Sequence, residues 1–151
     1  MNIFIERACE KDAPEIINIR NDCFYDDYIC FGECPGYNIS IDDMKNRIQN
    51  ALSYKIVADD KIVGDISVHK LDNGVYWIGC LAISPNYQNK GIGTIVMKQI
   101  EKQHSEARVW QLETPLNNIR NCYFYERLGF VKIDEKVHSD ILTLCVYEKR
   151  I

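Results

Sequence analysis

Residues 84–94 read SPNYQNKGIGT, between an apolar run, VYWIGCLAI (75–83), and an amphipathic one that begins at Ile92. A strand that feeds a glycine-bearing turn into a helix leaves the N–H groups of the first helical turn without acceptors. The helix dipole favours negative charge at the same place. Gly91 and Gly93 let the backbone approach a ligand closely, and Lys90 adds a positive charge. The stretch is therefore either an anion site suited to phosphate or a tight turn with no ligand. Two phosphate motifs are excluded. A P-loop needs GxxxxGK[ST], but Lys90 precedes the glycines and no glycine lies five positions before Gly91. The dinucleotide pattern GxGxxG fails because Val96 stands where the third glycine belongs.

Upstream of this junction, NIFIERA reads as a first strand. Asp12 has the character of an N-cap, with Pro14 in the first turn and Glu15 at the capping-box position, for a helix reaching about Phe24. YDDYICFGECPGYN (25–38) reads as irregular, and Ser40 opens a second helix with Ile41, Met44, Ile48 and Leu52 near one face. YKIVAD turns at Asp59–Asp60 into KIVGDISVHK, and Asn73–Gly74 is a hairpin signal leading to VYWIGCLAI. That strand is apolar on both faces, as expected of a central one. Downstream, Ile92, Ile95, Val96, Gln99 and Ile100 fall at helical spacing. ARVWQLET is a strand, NNIRNCYFYERLG a short helix with Gly129 just past its end, and two strands close the chain, the second being ILTLCVYEK. The expected fold is α+β: one domain over residues 1–151, with a mixed, mostly antiparallel central sheet flanked by helices.

The 151 residues suit a single core. A formal net charge of −4 disfavours general nucleic-acid binding, which relies on dense positive charge. No apolar run is long enough to span a bilayer, and charges from Glu6 onward argue against a signal peptide. The seven cysteines read as reduced thiols in the cytoplasm. Cys23, Cys30 and Cys34 cluster but lack the ligand pattern of a zinc site, so no metal is expected.

In this context PNYQNKGIGT resembles the acyl-CoA pyrophosphate loop of the GCN5-related N-acetyltransferase superfamily, whose pattern Q/R-x-x-G-x-G/A is filled by Gln88, Gly91 and Gly93. NNIRNCYFYERLGF is similar to that family's last helix, N-x-x-A-x-x-x-Y-x-x-x-G-F, with Asn118, Tyr125, Gly129 and Phe130 in place and Asn121 where alanine is usual. The element order agrees over essentially the whole chain. The resemblance implies a GNAT-like fold and acetyl transfer from acetyl-CoA to an amine. It implies a pyrophosphate cradle in the backbone of Asn89, Lys90, Gly91, Ile92, Gly93 and Thr94, with Gln88 beside it. Leu81, Ala82 and Ile83 would form the strand edge on which the pantetheine lies, much as an added strand does. A backbone N–H there would also polarise the thioester carbonyl. Asn118 matches a family position that hydrogen-bonds the pantetheine, and it also suits an N-cap.

The chemistry asks for two further groups. A lysine-like amine has a pKa near ~10.4, so only on the order of one molecule in a thousand is neutral near pH 7. A general base is therefore useful, and the departing thiolate is best protonated as it leaves. Tyr125 matches the family's catalytic tyrosine and is the expected acid, against the plain reading of a packed helix aromatic. Glu113 is the expected base: QLETPLNNIRNCYFYERLGF resembles the ribosomal-protein N-terminal acetyltransferase branch, where a glutamate at this place serves. Its alternative is a solvated or salt-bridged carboxylate, with ordered water as base. The histone-acetylating branch carries its glutamate on the fourth strand, where this chain has Trp77.

The resemblance places the acceptor against the first helix and the loop after it. Asp22, Asp26, Asp27 and Glu33 lie there among Phe24, Tyr25, Tyr28 and Phe31, which suggests a cationic amine with an apolar part, or simply a solvated acidic loop. The expected partner is a small-molecule amine, with neither nucleic acid nor membrane, and a homodimer is compatible with the family. The alternatives are a protein or peptide N-terminus as acceptor, and a non-catalytic acyl-CoA-binding sensor.

Overall fold

The apolar run Val75–Ile83 is β4, the fourth strand across a seven-stranded sheet ordered β1-β2-β3-β4-β5-β7-β6. The structure is a computed structural model that describes residues 1–151. The remaining strands are β1 (Ile3–Arg7), β2 (Leu52–Ala58), β3 (Lys61–Lys70), β5 (Val109–Pro115), β6 (Val131–Ser139) and β7 (Leu142–Arg150). The helices are α1 (Ala13–Phe31), α2 (Ile41–Asn50), α3 (Ile92–Gln103) and α4 (Ile119–Arg127). Only β4 and β5 pair in parallel; every other neighbouring pair is antiparallel. The mixed α+β fold is the one the sequence predicts. No helix is long and apolar enough to cross a membrane.

The two faces of the sheet differ. Ile56, Ile66, Val68, Tyr76 and Ile78 face α3 and α4 and join Val96, Ile100, Trp110 and Tyr147 in the main core. The other face lies under α1 and α2, where the apolar cluster is only Ala13, Ile16, Met44 and Ile48. There β3 presents Asp65 and Ser67, both buried, and the Arg20 guanidinium of α1 grips Asp65 through Nε at 3.1 Å and Nη2 at 2.7 Å. Two charges so far from water persist because the geometry is bidentate.

Local signals account for the turns. Asn73 and Gly74 have φ of 61° and 76°, and Asp59 and Asp60 have φ of 49° and 67°. Those left-handed pairs match the right-handed twist of the flanking strands. Ser40 caps α2 by accepting from the Asp43 N–H at 3.2 Å.

Two expectations fail. α1 does not stop near Phe24 but runs to Phe31, where Gly32 takes φ 78° and donates its N–H to Tyr28. The segment YDDYICF reads as loop by its acids and aromatics, yet it contains no glycine or proline to break a helix. Asp12 precedes α1 without capping it: its side chain turns back to accept from the Cys9 N–H at 2.9 Å, closing a short 3-10 turn over Glu10–Asp12. Lys55 lies at 3.4 Å from the same carboxylate. Glu15 therefore has no capping box to complete.

Candidate active site

The site is an opening between β4 and β5. Those strands pair from Val75–Val109 to Ile78–Leu112 and then part. The parting coincides with a bulge: Ile78 faces Val68 on β3 and Cys80 faces Ser67, so Gly79 is an extra residue with no partner. A bulge bends its strand and increases the local twist, which carries Cys80–Ile83 away from β5. Glycine keeps this corner clear: a Cβ on Gly79 would lie 2.9 Å from His69 Nε2 and 3.0 Å from Ser67 Oγ, and those side chains would have to shift.

Beyond the bulge β4 has a free edge. Ser84 donates its N–H to Val63 on the β3 side, and the Ala82 carbonyl is turned toward Gly64, also on β3. Since backbone groups alternate along a strand, Leu81 and Ile83 present theirs to the opening. Ala82 thus sits on the predicted segment with its polar backbone facing away from the opening. The Ile83 carbonyl is taken by Gln88 Nε2 at 2.8 Å.

The loop 84–94 ends at the N-terminus of α3. Asn89 and Gly91 both adopt left-handed backbone, with φ of 60° and 78°. The first helical bond of α3 runs from the Ile95 N–H to the Gly91 carbonyl, and no backbone N–H from Asn89 to Thr94 has an acceptor within the chain. This run of free donors at a helix N-terminus is built for an anion. Gly93 serves packing: a Cβ there would lie 2.9 Å from the Phe124 ring of α4. The Ile92 side chain is core, so its part in such a site is its N–H alone. Lys90 lies with Nζ 5.8 Å from the centre of the Tyr87 ring. The Gln88 side chain is occupied within the protein. Besides bonding Ile83 it accepts from Arg120 Nη1 at 2.9 Å, and Arg120 Nη2 reaches Asn89 Oδ1 at 3.3 Å. Arg120, on the first turn of α4, brings a second cation to the loop. The sequence reading missed it, and no local pattern marks it.

α4 frames the opening from the main-core side. Asn118 caps it, accepting from the Asn121 N–H at 3.1 Å, and donates from Nδ2 to both oxygens of Asp27 on α1 at 3.2 Å. Burial pushes the Asp27 carboxyl up, against the Asn118 hydrogen bond, which pulls it down. Asn121, in place of alanine, donates to Thr114 Oγ1 on β5 at 3.4 Å. Tyr125 is 8 % exposed and packs against Phe124 and Phe130 at ring separations of 5.0 and 5.8 Å. Burial raises its phenol well above the ordinary value, and Cys80 on β4 and Cys23 on α1 add to the shift. Gln99 Oε1 is the one sealed side-chain oxygen without a partner in the chain, so the unpaired Tyr125 hydroxyl is open.

Glu113 follows Leu112, the last residue of β5 that pairs with β4. Leu112 and Thr114 are buried toward the main core, so Glu113 points to the α1 side, where Lys136 Nζ lies at 3.3 Å. It is thus salt-bridged at the mouth of the opening. Asp22, Asp26 and Asp27 lie along α1 and not in a loop, while Glu33 follows its C-terminal cap, Gly32. Asp27 is held by Asn118, and Glu33 accepts from Ser139 at 2.7 Å with His138 at 3.2 Å, which ties the end of α1 to the β6–β7 turn. Only Asp22 and Asp26 remain, both exposed. A concavity of about 380 Å³ around the C-terminal end of α3, near Lys98 and His104, lies at the other end of that helix from the glycine loop.

The sheet is thus opened between two parallel strands, with a strand edge beside an unbonded helix N-terminus. Residues 13–130 match the acetyltransferase (GNAT) family, and the chain belongs to it. It is 31% identical over 146 residues to the uncharacterized protein YrkN of Bacillus subtilis, spanning 91% of this chain and 79% of that one. Its fold is similar to that of the paia N-acetyltransferase of Thermoplasma acidophilum, solved in complex with coenzyme A, at TM-score 0.83, 20% identity and full coverage of both chains. It also resembles the ribosomal-protein-S18-alanine N-acetyltransferase of Escherichia coli at TM-score 0.79 and 14% identity, covering 99% of this chain and 94% of that one. The protein is thus an N-acetyltransferase, and its family supports acetyl-CoA as the donor.

Proposed function

We propose that the chain, acting over residues 1–151 as one domain in the cytoplasm, moves an acetyl group from acetyl-CoA to a primary amine of a small molecule by direct attack on the thioester. The observation that carries this is the run of unbonded N–H groups from Asn89 to Thr94 beside the free edge of β4. Acetyl-CoA supplies the activated acetyl group. The N–H groups of 89–94, with Lys90 and Arg120, hold its pyrophosphate, and Gln88 holds the loop in shape. Leu81 and Ile83 offer strand-like hydrogen bonds to the pantetheine, with Ala82 as spacer, and Asn118 closes that wall from α4. A carbonyl oxygen seated against the β4 edge would find a fixed N–H donor where charge develops.

The nitrogen–carbon bond forms as the carbon–sulfur bond breaks. The amine proton leaves toward Glu113, directly or through water, and Tyr125 gives its proton to the departing sulfur. A phenol whose pKa is raised by burial stays protonated near neutral pH and so remains available as the acid. A pure sensor would not need an unpaired tyrosine hydroxyl on α4. The seven cysteines, all free thiols, suit a reducing compartment. A small acceptor suits the cavity beside the bulge, about 240 Å³. The test is release of CoA thiol from acetyl-CoA across a panel of small amines and short peptides. Release with small amines supports the reading; release with peptides alone moves the acceptor to a polypeptide N-terminus.

A further inference from the structure

The face of the sheet under α1 and α2 is polar where a purely structural layer would be apolar. Ser53 of β2 lies directly opposite Ser67 of β3, and Ser67 opposite Cys80 of β4, so one row of small polar side chains crosses the sheet and ends beside Gly79. The residues Ser53 and Ser67 are 5 % and 8 % exposed, and their hydroxyls, unpaired within the chain, are not sealed. Both hydroxyls are therefore free to bond a ligand or water in the space beside them. Both line the cavity of about 240 Å³ that opens under α2, room for roughly eight waters at about 30 Å³ each.

The charges around this cavity are mostly positive. Arg20, 4 % exposed, spends Nε and Nη2 on Asp65. Its Nη1 has no partner in the chain and is not sealed, and Arg20 lines the cavity. Arg47, on the last turn of α2, lines the same cavity and takes part in no ion pair of the chain. His69 closes the end next to Gly79. The one carboxylate present, Asp65, is already neutralised.

Building on the acetyl-transfer reading, we propose that this cavity takes the carboxylate of the acceptor, so that the substrate class is a small amine carrying a carboxylate, of amino-acid size. Arg20 Nη1, Arg47 and the hydroxyls of Ser53 and Ser67 receive the carboxylate, and the amine is left to point past Gly79 into the opening. Planar guanidinium forks suit a carboxylate. The same cations also lower the pKa of a nearby ammonium, which favours the free base that must attack. A polyamine would meet like charge here.

The test pairs each common α-amino acid with its decarboxylated amine, adds phosphoethanolamine as a phosphate-bearing amine, and reads thiol release and thermal stabilisation by the amine in the presence of CoA. Wild type is compared with Arg47→Gln and Ser67→Ala. The expected result is kcat/KM at least about tenfold higher for a carboxylated amine than for its decarboxylated partner, in line with one charge-assisted pair. Arg47→Gln should remove most of that preference and leave the KM for acetyl-CoA unchanged. Thiol release that ignores the carboxylate, or favours the decarboxylated or phosphate-bearing amine, overturns the inference while the transferase reading stands. Stabilisation by carboxylated amines, lost in Arg47→Gln, with no thiol release from any amine, keeps the carboxylate site and overturns the transfer. Neither stabilisation nor release by any carboxylated amine overturns the site.

Discussion

Arg120 of α4 donates to Gln88 Oε1 in the glycine loop at 2.9 Å, across a sequence separation of 32 residues. The guanidinium pins the loop to the neighbouring helix and adds charge at the mouth of the α3 N-terminus. Because this contact is exposed, its worth is modest. Arg120→Met is expected to raise the dissociation constant for acetyl-CoA about fivefold, on the order of 1 kcal/mol, with little change in melting temperature. Titration calorimetry at two salt concentrations checks this, and the loss should shrink as salt rises.

Gly93 and Phe124 set the approach of α3 to α4. A Cβ on Gly93 would lie 2.9 Å from Phe124 Cζ and 3.1 Å from Cε1. Gly93→Ala is expected to cost about 1–3 kcal/mol by overpacking, a fall of roughly 2–10 °C in melting temperature for a chain of this size. Gly93→Ala with Phe124→Leu should recover much of that loss. Gly91→Ala differs in kind: nothing lies within 4 Å of its Cβ, but φ is 78°, so its cost is backbone strain of about 1–2 kcal/mol, which no neighbouring substitution relieves.

Tyr125 is protonated across the usual assay range, because burial holds its pKa above 10. Tyr125→Phe keeps the ring in the core and removes only the hydroxyl. It is expected to lower kcat about 10²-fold with acetyl-CoA binding retained. The rate–pH profile of the wild type should show no alkaline limb from this group below about pH 10, since a raised pKa moves deprotonation upward. Steady-state kinetics from pH 6 to 10 gives both readouts.

Cys80 links the site to alkaline stability. Burial pushes its thiol from 9.0 up to about 12, with Arg20 pulling the other way. A folded-state pKa above the unfolded one means that the native state binds the proton more tightly. The contribution is complete below about pH 9 and is lost as pH climbs toward 12. Cys80→Ala should therefore flatten the fall in stability over that window. Denaturant melts of the two proteins at pH 8 and pH 10.5 measure it.

What the sequence shows plainly is what local chemistry decides. The apolar run at Val75–Ile83, the Asn73–Gly74 turn, the Ser40 cap and the glycine loop before α3 each carry their cause within a few residues. What it hides depends on contacts between distant segments. Arg120 reaches the loop only because α4 packs beside α3. The Asp12 carboxylate bonds backward to Cys9, and its sequence looks the same as a forward cap. The extent of α1 was obscured because acids and aromatics read as loop although nothing in YDDYICF breaks a helix. Gly79 is legible as a glycine inside a strand, a known sign of a bulge. The alternation of Asp65, Ser67 and His69 on β3 is likewise visible, but that it faces Arg20 and Arg47 requires the fold. The acidic residues near α1 suggested a cationic acceptor, yet Asp27 and Glu33 are already bound to Asn118, Ser139 and His138.

The central claim is that the N–H groups from Asn89 to Thr94 hold the donor's pyrophosphate while Leu81 and Ile83 hold its arm. Amide hydrogen exchange, followed residue by residue as acetyl-CoA is titrated in, tests it most directly. The account predicts saturable binding with exchange slowed at Asn89–Thr94 and at Leu81, where free donors gain acceptors. Binding that leaves those amides exchanging as before, or no saturable binding at all, would contradict it.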